Sequence, residues 1–513
     1  ANTKFYPGRE EFNAFCPEQI GLSYILYNLR LKYNNPKVIS HFSHVILSYG
    51  LKRTFVEKLK SSVLQKLGLG NFGIYQSMGI KNFYFPEIDE DCILKTKKIF
   101  KKFKEEINTR EKLEKFKINN ILIGDLLYDC YLKKFYDEEP TVKINDNKFI
   151  NFSYEFILYV VIWIKFFNKN RVLAVIGSHS VYSIGVPLRI AVWKKIKTFA
   201  ITPEQICNLT KKMPREYLEF LTYKKKFNMI STNQKLKGIE EAKKRYRSKL
   251  SGKFSKDYYY VLRSPYKKSN YKNKVLSKSN KIKLVVATHD FVDAPHCLGF
   301  SLFPDFYQWL IFLGKISKKT NYDWYIKTHY PYGGKYEIYQ PHERLVVRKF
   351  VEKFKNFKII PPKTTMKQII NEGIDGVLTV NGTIGSEIPF FKVPVINASI
   401  NNPHINYNFN FHPKTREELK TIILNYKKLK EKFKINKKEL YQHYFMRNIY
   451  YDKNWIFDRH DEMVNEIGYI DQWSYKIFKF WIERFDLKIH NEFLKRINKF
   501  IDGKEYRLRR SLY

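Results

Sequence analysis

Cysteine is scarce in this sequence. Of its 513 residues only five are cysteine, and no two of them form a C-x-x-C pair: Cys16, Cys92, Cys130, Cys207 and Cys297. An odd number of widely spaced cysteines is typical of a protein from a reducing compartment. The pattern argues against a disulfide framework and against a zinc finger.

Long apolar runs are also missing. The strongest candidate, FILYVVIWIKFF at Phe156–Phe167, is interrupted by Lys165 and is shorter than the roughly 20 residues that span a bilayer. We interpret it as a buried helix. Residues 1–19 are polar and charged and contain no apolar signal-peptide core. We therefore expect a cytoplasmic protein, with the anionic lipids of the inner membrane face as a candidate peripheral partner.

Acidic residues are few: 50 Asp and Glu stand against 93 Lys and Arg, which gives a formal net charge of +43. Lys, Asn, Ile, Phe and Tyr are abundant together, so A/T-rich codons explain the bias as well as a function does. A functional basic surface would attract anionic lipids, nucleotide phosphates, acidic glycans or nucleic acid. Because the basic residues are spread along the chain and no DNA- or RNA-binding motif is present, we expect no nucleic-acid partner. The hydrophobic share of 44% and the aromatic share of 17% indicate a folded globular chain.

A dinucleotide-binding glycine motif is absent in its usual context. Gly68, Gly70 and Gly73 match G-x-G-x-x-G, but the preceding FVEKLKSSVLQKL predicts an amphipathic helix where the fingerprint needs a strand. A glycine that ends a helix explains the match better. No internal repeat is visible at periods of about 20 to 50 residues, which disfavours a repeat architecture.

An alternation of strands and helices is present in both halves of the chain. In the first half, Arg171–Gly177 (RVLAVIG) predicts a buried strand and Lys195–Ile201 (KIKTFAI) predicts the next one. A helix is expected to begin around Pro187, between them. A further short strand is predicted near Ile121, before GDLLYD. Strand, helix, strand is the rhythm of a parallel α/β domain.

The second half shows this rhythm more clearly. Five strands are predicted, with helices between them, at Ile282–Thr288, Asp323–Thr328, Phe357–Ile360, Gly376–Val380 and Val393–Asn397. The predicted organisation is an N-terminal α/β domain at 1–265, a basic linker at 266–281, a C-terminal Rossmann-like domain at 282–455 and helices at 456–513. The fold class is α/β, with two Rossmann-like domains facing across a cleft. Ligands are expected beyond the carboxyl ends of the strands.

The most informative motif, NGTIGSE, follows the fourth of these strands. A glycine-rich turn before a helix offers backbone N–H groups and the positive end of the helix dipole to a phosphate. Glu387, at the end of the motif, is a candidate acceptor for ribose hydroxyls. The alternative is a plain helix cap, with Glu387 favouring the dipole. The predicted donor-binding residues of this motif are Asn381, Gly382, Thr383, Gly385, Ser386 and Glu387.

Cationic side chains follow the strand DWYIK. Lys327 and His329 are candidates to neutralise phosphate charge on a leaving nucleotide. The alternative for Lys327 is one more surface lysine in a lysine-rich protein.

Histidines and aspartates follow the first strand of the second domain. We predict that His289 and Asp290 contact the sugar or the phosphate. With Asp293 and His296 they also suggest a rival interpretation, the divalent-metal site of a hydrolase. The spacing of the four residues matches no metal motif, and we predict no metal.

These segments together resemble a known family. A strand, NGTIGSE, a helix and KVPVIN are similar to the donor-domain signature of GT-B capsule and lipopolysaccharide glycosyltransferases, above all to capsule synthesis proteins that include CMP-Kdo-using transferases. KTHYP at Lys327–Pro331 is similar to the family's K-x-H-P, with Tyr330 inserted. The block at His289–Leu310 is associated with related surface-carbohydrate proteins. The resemblance covers about Lys281 to Pro413 well and the first half loosely.

The resemblance implies a glycosyltransferase that moves a sugar from a nucleotide-activated donor, such as CMP-Kdo, onto a bacterial surface polysaccharide or lipopolysaccharide acceptor. It implies no cofactor and no metal, the nucleotide-sugar being a substrate. It also implies a GT-B arrangement whose C-terminal helices pack back on the N-terminal domain. A CDP-polyol phosphotransferase of the teichoic-acid type is the nearest alternative, and a basic nucleic-acid-binding protein is a less favoured one.

The first half supplies the candidates for acceptor-side chemistry. His179, after RVLAVIG, and Asp125 and Asp129, in GDLLYD, are the predicted catalytic residues, because sugar transfer needs a base for the attacking hydroxyl. A helix cap is the alternative for either aspartate. Tyr182 and Arg189 are candidates to bind an acidic acceptor glycan.

Overall fold

The computed structural model of the protein describes residues 22, 24–40, 55–69, 72, 75–76, 79–202, 205–252, 264–267, 273–331, 340–451, 466, 483 and 486–508. The chain divides into two compact units. The N-terminal unit comprises Ala1–Tyr131, Lys143–Glu216 and Asp452–Arg510. The C-terminal unit comprises Leu132–Val142, Tyr217–Tyr451 and Ser511–Tyr513.

The N-terminal unit is rich in helices. Its strands are β1 Ile39–Ser40, β2 Asn82–Phe83, β3 Lys117–Ile118, β4 Ile121–Leu122, β5 Ala174–Gly177, β6 Lys197–Thr202 and β7 Gln205–Leu209. Its helices are α1 Phe55–Lys66, α2 Glu90–Glu106, α3 Arg110–Glu114, α4 Gly124–Lys134 (which runs into the other unit), α5 Asn147–Lys169, α6 Gly185–Trp193 and a C-terminal helix, Leu487–Asp502. Gly68 has a φ of 63° just after α1, which confirms that this glycine follows the end of a helix.

The helix α5 is the apolar core helix of this unit. The sequence-based expectation of a buried helix at Phe156–Phe167 is confirmed, since most of these side chains are buried. By length and composition alone α5 is also the one helix of the described residues that could cross a membrane, but 61% of its apolar window is buried inside the protein. Aromatic rings dominate its packing: Tyr131 meets Phe149 edge-on, with ring centroids 5.2 Å apart.

The three-stranded sheet of the N-terminal unit is mixed. Strand β5 pairs with β6 in parallel, as the strand–helix–strand pattern predicts, but β7 pairs with β6 antiparallel. The described residues of this unit therefore depart from an all-parallel Rossmann-like sheet. The predicted strand near Ile121 exists as β4, in an antiparallel pair with β3. The C-terminal helix packs on the sheet, with Phe493, Ile497 and Phe500 in the same buried cluster as Phe199.

The C-terminal unit is built on a five-stranded parallel sheet. Its strands are β8 Lys283–Ala287, β9 Asp323–Lys327, β10 Phe357–Ile360, β11 Gly376–Thr379 and β12 Val395–Asn397, in the spatial order β10-β9-β8-β11-β12. All four pairings are parallel. All five strands lie within the ranges predicted from sequence. From β8 the chain continues to β9 and β10 on one side of the sheet, and it then returns to form β11 and β12 on the other side. The boundary between β8 and β11 is therefore the topological switch point.

Helices cover this sheet and fill the rest of the unit. They are α7 Tyr223–Met229, α8 Thr232–Leu250, α9 Phe306–Ser317, α10 Gln340–Lys353, α11 Met366–Asn371, α12 Ile384–Glu387, α13 Arg416–Leu424, α14 Tyr426–Lys432 and α15 Lys437–Asn448. Short 3-10 helices occupy Leu218–Thr222 and Ile388–Phe391. The main core lies between the sheet and α9, α10 and α13, with Trp309 and Trp324 fully buried.

The division of the chain falls after Glu216, earlier than the boundary at 265 predicted from sequence. The reason is the packing of α8 on α15. An added Cβ at Gly238 would lie 2.4 Å from the Phe445 ring, so the two helices approach as closely as a glycine allows. One turn further, Tyr246 and Tyr444 contact each other with ring centroids 4.3 Å apart. The basic segment at 266–281 thus follows helices that already belong to the C-terminal unit.

Candidate functional site

His289 lies at the switch point, directly after β8. The backbone N–H of Val380 donates to its Nε2 at 3.1 Å, and the Thr379 Oγ1 is also 3.1 Å from that nitrogen. The ring stacks on Phe306 with centroids 4.4 Å apart. Burial lowers the pKa of His289 to about 3, so the imidazole is neutral at pH 7. Because Nε2 accepts a hydrogen bond, the proton of the neutral ring sits on Nδ1.

His329, after β9, forms an ion pair with Glu343 in the first turn of α10. The imidazole Nδ1 lies 2.9 Å from Glu343 Oε1, and the backbone N–H of His329 donates to both carboxylate oxygens at 3.2 Å. The Thr288 hydroxyl donates to the same carboxylate at 2.5 Å. Burial opposes charge on either partner, but their attraction prevails: the pKa of His329 is raised and that of Glu343 is lowered. His329 is therefore a fixed cation-forming side chain at the carboxyl edge of the sheet.

Asp290 lies beside this pair. It is half-buried, and burial followed by the nearby Asp293 charge raises its pKa above the ordinary value. Its Oδ1 accepts from the Val292 N–H at 3.3 Å. Asp293 is exposed and pairs with Lys133 at 3.6 Å. The loop after β8 thus contributes one imidazole and one partly desolvated carboxyl group to the edge where His329 lies.

Lys327 is placed differently from the sequence-based expectation. Its ammonium group is buried and donates to two backbone carbonyls, of Thr328 at 2.9 Å and of Pro362 at 2.8 Å. Burial lowers its pKa to about 8, against the opposing attraction of Glu343. Lys327 therefore ties the end of β9 to the loop after β10, and His329 is the better placed cation for a phosphate.

The loop after β11 approaches His289 closely. An added Cβ at Gly382 would lie 2.8 Å from Thr379 Oγ1 and 3.4 Å from His289 Cε1. Gly382 thus leaves room for the Thr379 hydroxyl, while the His289 ring would be in ordinary van der Waals contact. Asn381 and Thr383 are half-buried beside it. Among the described residues, the backbone N–H groups of Gly382, Thr383 and Ile384 donate to no acceptor, so they are available to a bound anion.

The remaining residues of the NGTIGSE motif have a structural role. An added Cβ at Gly385 would lie 2.6 Å from the buried His404 ring. Ser386 donates its hydroxyl to the Thr383 carbonyl at 3.0 Å, which holds the turn closed. The helix α12 spans four residues and continues as a 3-10 helix. Its dipole is accordingly short, and the free amides rather than a long helix provide the anion-binding potential.

Glu387 is engaged on both oxygens. The Tyr266 hydroxyl donates to Oε2 at 2.6 Å, and the Lys249 ammonium lies 3.0 Å from Oε1. The Tyr246 hydroxyl donates to the Ser386 carbonyl next to it. These contacts anchor the motif to α8 and to the segment around Tyr266. A direct contact of Glu387 with a ribose would compete with its contacts to Tyr266 and Lys249. The geometry therefore favours a role in positioning the motif.

Asp125 in the N-terminal unit is held by two arginines. Arg189 donates to its two oxygens at 3.2 and 3.0 Å, and Arg215 donates to Oδ2 at 2.5 Å. All three side chains are buried, and Asp125 also accepts from the Leu126 N–H. Hydrogen bonds thus engage both of its oxygens, which leaves this carboxylate poorly placed to take a proton from a substrate. Arg189 and Asp125 are thus brought together as an ion pair, and Asp129, one turn further along α4, is buried as well.

His179 forms a second imidazole–carboxylate pair, at the end of β5. Its Nδ1 lies 3.2 Å from Oε1 of the fully buried Glu216. The other Glu216 oxygen accepts from the backbone N–H of Ser180 at 2.8 Å and from its hydroxyl. Tyr182 has a φ of 56°, uncommon for a side chain of this size, and is buried. The loop after β5 is therefore tightly wound and holds His179 in one orientation.

No group of three or more His, Cys, Asp and Glu side chains in the described ranges is arranged to hold a metal ion. The rival metal site at His289–His296 meets a specific obstacle. The Nε2 of His289 already accepts the Val380 N–H, and Asp293 pairs with Lys133. His296 is buried and contacts Phe300 edge-on.

Sequence analysis missed the carboxylate partners of both histidines. Glu343 is 14 positions from His329, and Glu216 is 37 positions from His179. Arg215, which shares Asp125 with Arg189, was missed as well. One signal was present: REYLEF places an arginine and a glutamate together after a strand, a pattern that does not identify a partner on its own.

Two of the solved structures that resemble the chain are KpsC and a UDP-GlcNAc 2-epimerase, both at low similarity. No protein-family model and no curated protein matches the chain. A structure of Thermosulfurimonas dismutans KpsC, a beta Kdo 2,4 transferase, is 12% identical, with a TM-score of 0.32, over 54% of this chain and 79% of that chain. A UDP-GlcNAc 2-epimerase from Neisseria meningitidis bound to UDP-GlcNAc is 12% identical, with a TM-score of 0.26, over 65% of this chain and 82% of that chain. At these values the geometry of the site carries the functional conclusion.

Proposed function

We propose that the protein is a glycosyltransferase that moves a sugar from a nucleotide-activated donor onto a polysaccharide acceptor. The observation that carries the proposal is the convergence of His289 and the His329–Glu343 pair at the switch point of a parallel sheet. Loops at that edge are where open α/β sheets bind nucleotides and related ligands. One neutral and one cation-forming imidazole suit a ligand with a phosphate group.

We assign the donor phosphate to the loops that follow β8 and β11. The Nδ1–H of His289 and the amides of Gly382, Thr383 and Ile384 donate hydrogen bonds to phosphate oxygens. His329, whose pKa the Glu343 carboxylate raises, offsets the negative charge that develops as the nucleotide leaves. These groups supply charge stabilisation without a metal, so we propose metal-independent transfer.

A CMP-activated sugar acid such as CMP-Kdo is the donor we favour. The support is the resemblance of NGTIGSE, KTHYP and KVPVIN to capsule synthesis proteins, together with a site that offers cationic and N–H donors to an acid. A surface polysaccharide or glycolipid is the corresponding acceptor.

The base is assigned to His179. Glu216 orients the ring through its contact with Nδ1, and we propose that the imidazole takes the proton of an acceptor hydroxyl. The hydroxyl oxygen bonds to the anomeric carbon, the bond from that carbon to the phosphate oxygen breaks, and the nucleotide leaves with the electron pair. We favour His179 over Asp125 as the base because Asp125 forms ion pairs with Arg189 and Arg215.

Calorimetric titration of the purified protein with CMP, CDP, UDP, UMP and GDP, with and without EDTA, tests the donor assignment. We expect one nucleotide to bind in EDTA and to lose at least about tenfold in affinity in His289→Gln and in His329→Gln, since each variant removes one phosphate contact. His490→Gln, in the N-terminal unit, is the matched control and should bind normally. CMP would indicate a sugar-acid donor and CDP a polyol phosphate. Binding that needs a metal, or that both site variants retain, would contradict the assignment.

A further inference from the structure

The helix α1 exposes apolar side chains. Phe55 is 80% exposed, Val56 70%, Leu59 56% and Val63 46%. Soluble surfaces carry single exposed apolar residues routinely, but a contiguous patch marks an interaction site. The helix α1 spans 12 residues, Phe55–Lys66, and four exposed apolar side chains within this length form such a patch.

The exposed residues share one side of the helix. At about 100° per residue, positions 55, 56, 59 and 63 fall within one broad face. Ser61, the one fully buried residue of the helix, lies on the opposite side. Leu64 and Gln65, both half-buried, flank Ser61, and the Gln65 carbonyl accepts from Gln76 at 2.8 Å. The helix thus contacts the protein through the side that carries Ser61, Leu64 and Gln65, and the side with most of its apolar residues faces outward.

The apolar face is bordered by lysines. Lys58 and Lys60 are exposed at the two borders of the face, and the exposed Lys66 lies within it at the last position of the helix. Glu57 is the single acidic residue of the helix. Just beyond the helix, Leu67 and Leu69 extend the exposed apolar side chains. An apolar strip between lysines has the composition of helices that lie in the plane of an anionic membrane surface.

The charge of the protein selects the occupant of this face. A second copy of the chain would bring two surfaces of a protein with a net charge of +43 together, and the lysines of α1 would face like charges. An anionic lipid surface suits both the apolar side chains and the lysines of α1. The apolar side chains can insert among the acyl chains, and the lysines can pair with the lipid phosphates.

We propose that α1 is an interfacial membrane-binding helix that docks the protein on anionic lipid. Phe55, Leu59 and Val63 insert at the boundary of headgroups and acyl chains, and Lys58 and Lys66 contact lipid phosphates. The proposal stands independently of the proposed function, because it concerns a surface that contains none of the site residues.

Co-sedimentation of the full chain with vesicles tests it. The vesicles are phosphatidylcholine alone, or phosphatidylcholine with phosphatidylglycerol at about 7:3. The test variant is Phe55→Ser/Leu59→Ser/Val63→Ser. The matched control is Met229→Ser/Leu236→Ser, which removes two exposed apolar side chains from other helices, 76% and 64% exposed. Thermal unfolding checks that all variants fold, as expected for changes at exposed positions.

We expect the partition coefficient on mixed vesicles to fall at least about tenfold in the triple variant and to stay unchanged in the control, because full burial of one such side chain is worth roughly a factor of ten. Lys58→Gln and Lys66→Gln should each reduce it about fivefold on anionic vesicles. Amide exchange over 55–66 should slow with vesicles. Equal binding by the triple variant and the control would show attraction by overall charge alone and would overturn the proposal. So would a wild-type dimer that the triple variant converts to a monomer.

Discussion

The His329–Glu343 pair offers the sharpest quantitative prediction, through the substitution Glu343→Gln. Glutamine keeps the shape but removes the charge and one acceptor oxygen. Glu343 is buried and accepts hydrogen bonds from the His329 ring, the His329 N–H and the Thr288 hydroxyl. Hydrogen bonds to charged groups contribute about 1.5–3 kcal/mol each, and glutamine retains part of the set. We therefore expect the C-terminal unit to lose about 3 kcal/mol of unfolding free energy.

The loss should depend on pH with a defined sign. The pKa of His329 is raised above 6.5, so the stability it contributes is fully present below 6.5 and is lost as pH rises through the folded pKa. The pKa of Glu343 is lowered below 4.5, so its contribution is present above 4.5 and is lost as pH falls through the folded pKa. The destabilisation by Glu343→Gln should therefore be greatest between pH 4.5 and 6.5 and smaller on both sides.

Denaturant unfolding followed by tryptophan fluorescence measures this, because Trp309 and Trp324 are buried in the core of the same unit. Glu439→Gln is the matched control, because Glu439 forms its ion pair with a lysine, Lys224, at 2.8 Å, instead of a histidine. The control should show no extra pH dependence near 6.5. An effect of Glu343→Gln that stays constant from pH 4.5 to 8 would refute the ion pair between the imidazolium and the carboxylate.

Three further predictions concern other parts of the molecule. Arg215→Met should destabilise the N-terminal unit by about 3 kcal/mol in thermal unfolding, because it weakens a buried ion pair around Asp125, and a loss under 1 kcal/mol would contradict that role. Gly385→Ala should lower the free energy of unfolding by about 1–3 kcal/mol, because the added Cβ would clash with the buried His404 ring. Unchanged stability would show that the ring moves aside at no cost. In transfer assays Glu216→Gln should lower kcat at least about tenfold and leave the nucleotide Kd unchanged, whereas a changed Kd with normal kcat would oppose the base assignment.

The strands of the C-terminal unit could be predicted because each is a short apolar run between polar segments. Lys283–Ala287 and Gly376–Thr379 lie inside the predicted ranges, with differences of a residue or two at the ends. The antiparallel strand Gln205–Leu209 was missed, since QICNL has no clear signature that separates a strand from a loop. The return of the chain after Glu216 into the C-terminal unit depends on the contact of Gly238 with Phe445, which no local pattern shows.

The strand ends that carry the candidate residues could be predicted from the sequence, whereas the contacts of those residues could not. Polar side chains after parallel strands identify His289, His329 and the NGTIGSE loop, because strand ends meet at one edge of a sheet. Their partners depend on tertiary structure. Glu343 comes from a separate helix, and the contacts of Glu387 with Lys249 and Tyr266 cross more than a hundred residues. The sequence suggests that Lys327 is a cation available to a phosphate, whereas in the fold its ammonium group is buried against two backbone carbonyls. The GT-B arrangement of two facing domains stays a prediction.

The most direct test of a nucleotide pocket at the β8–β11 edge is an NMR titration of the histidine ring resonances with CMP. The resonances of His289 and His329, assigned from His289→Gln and His329→Gln, should shift together with one Kd that matches calorimetry. The resonance of His490, in the N-terminal unit, should stay fixed. Nucleotide binding that leaves both site histidines unshifted would place the nucleotide elsewhere and contradict the central claim.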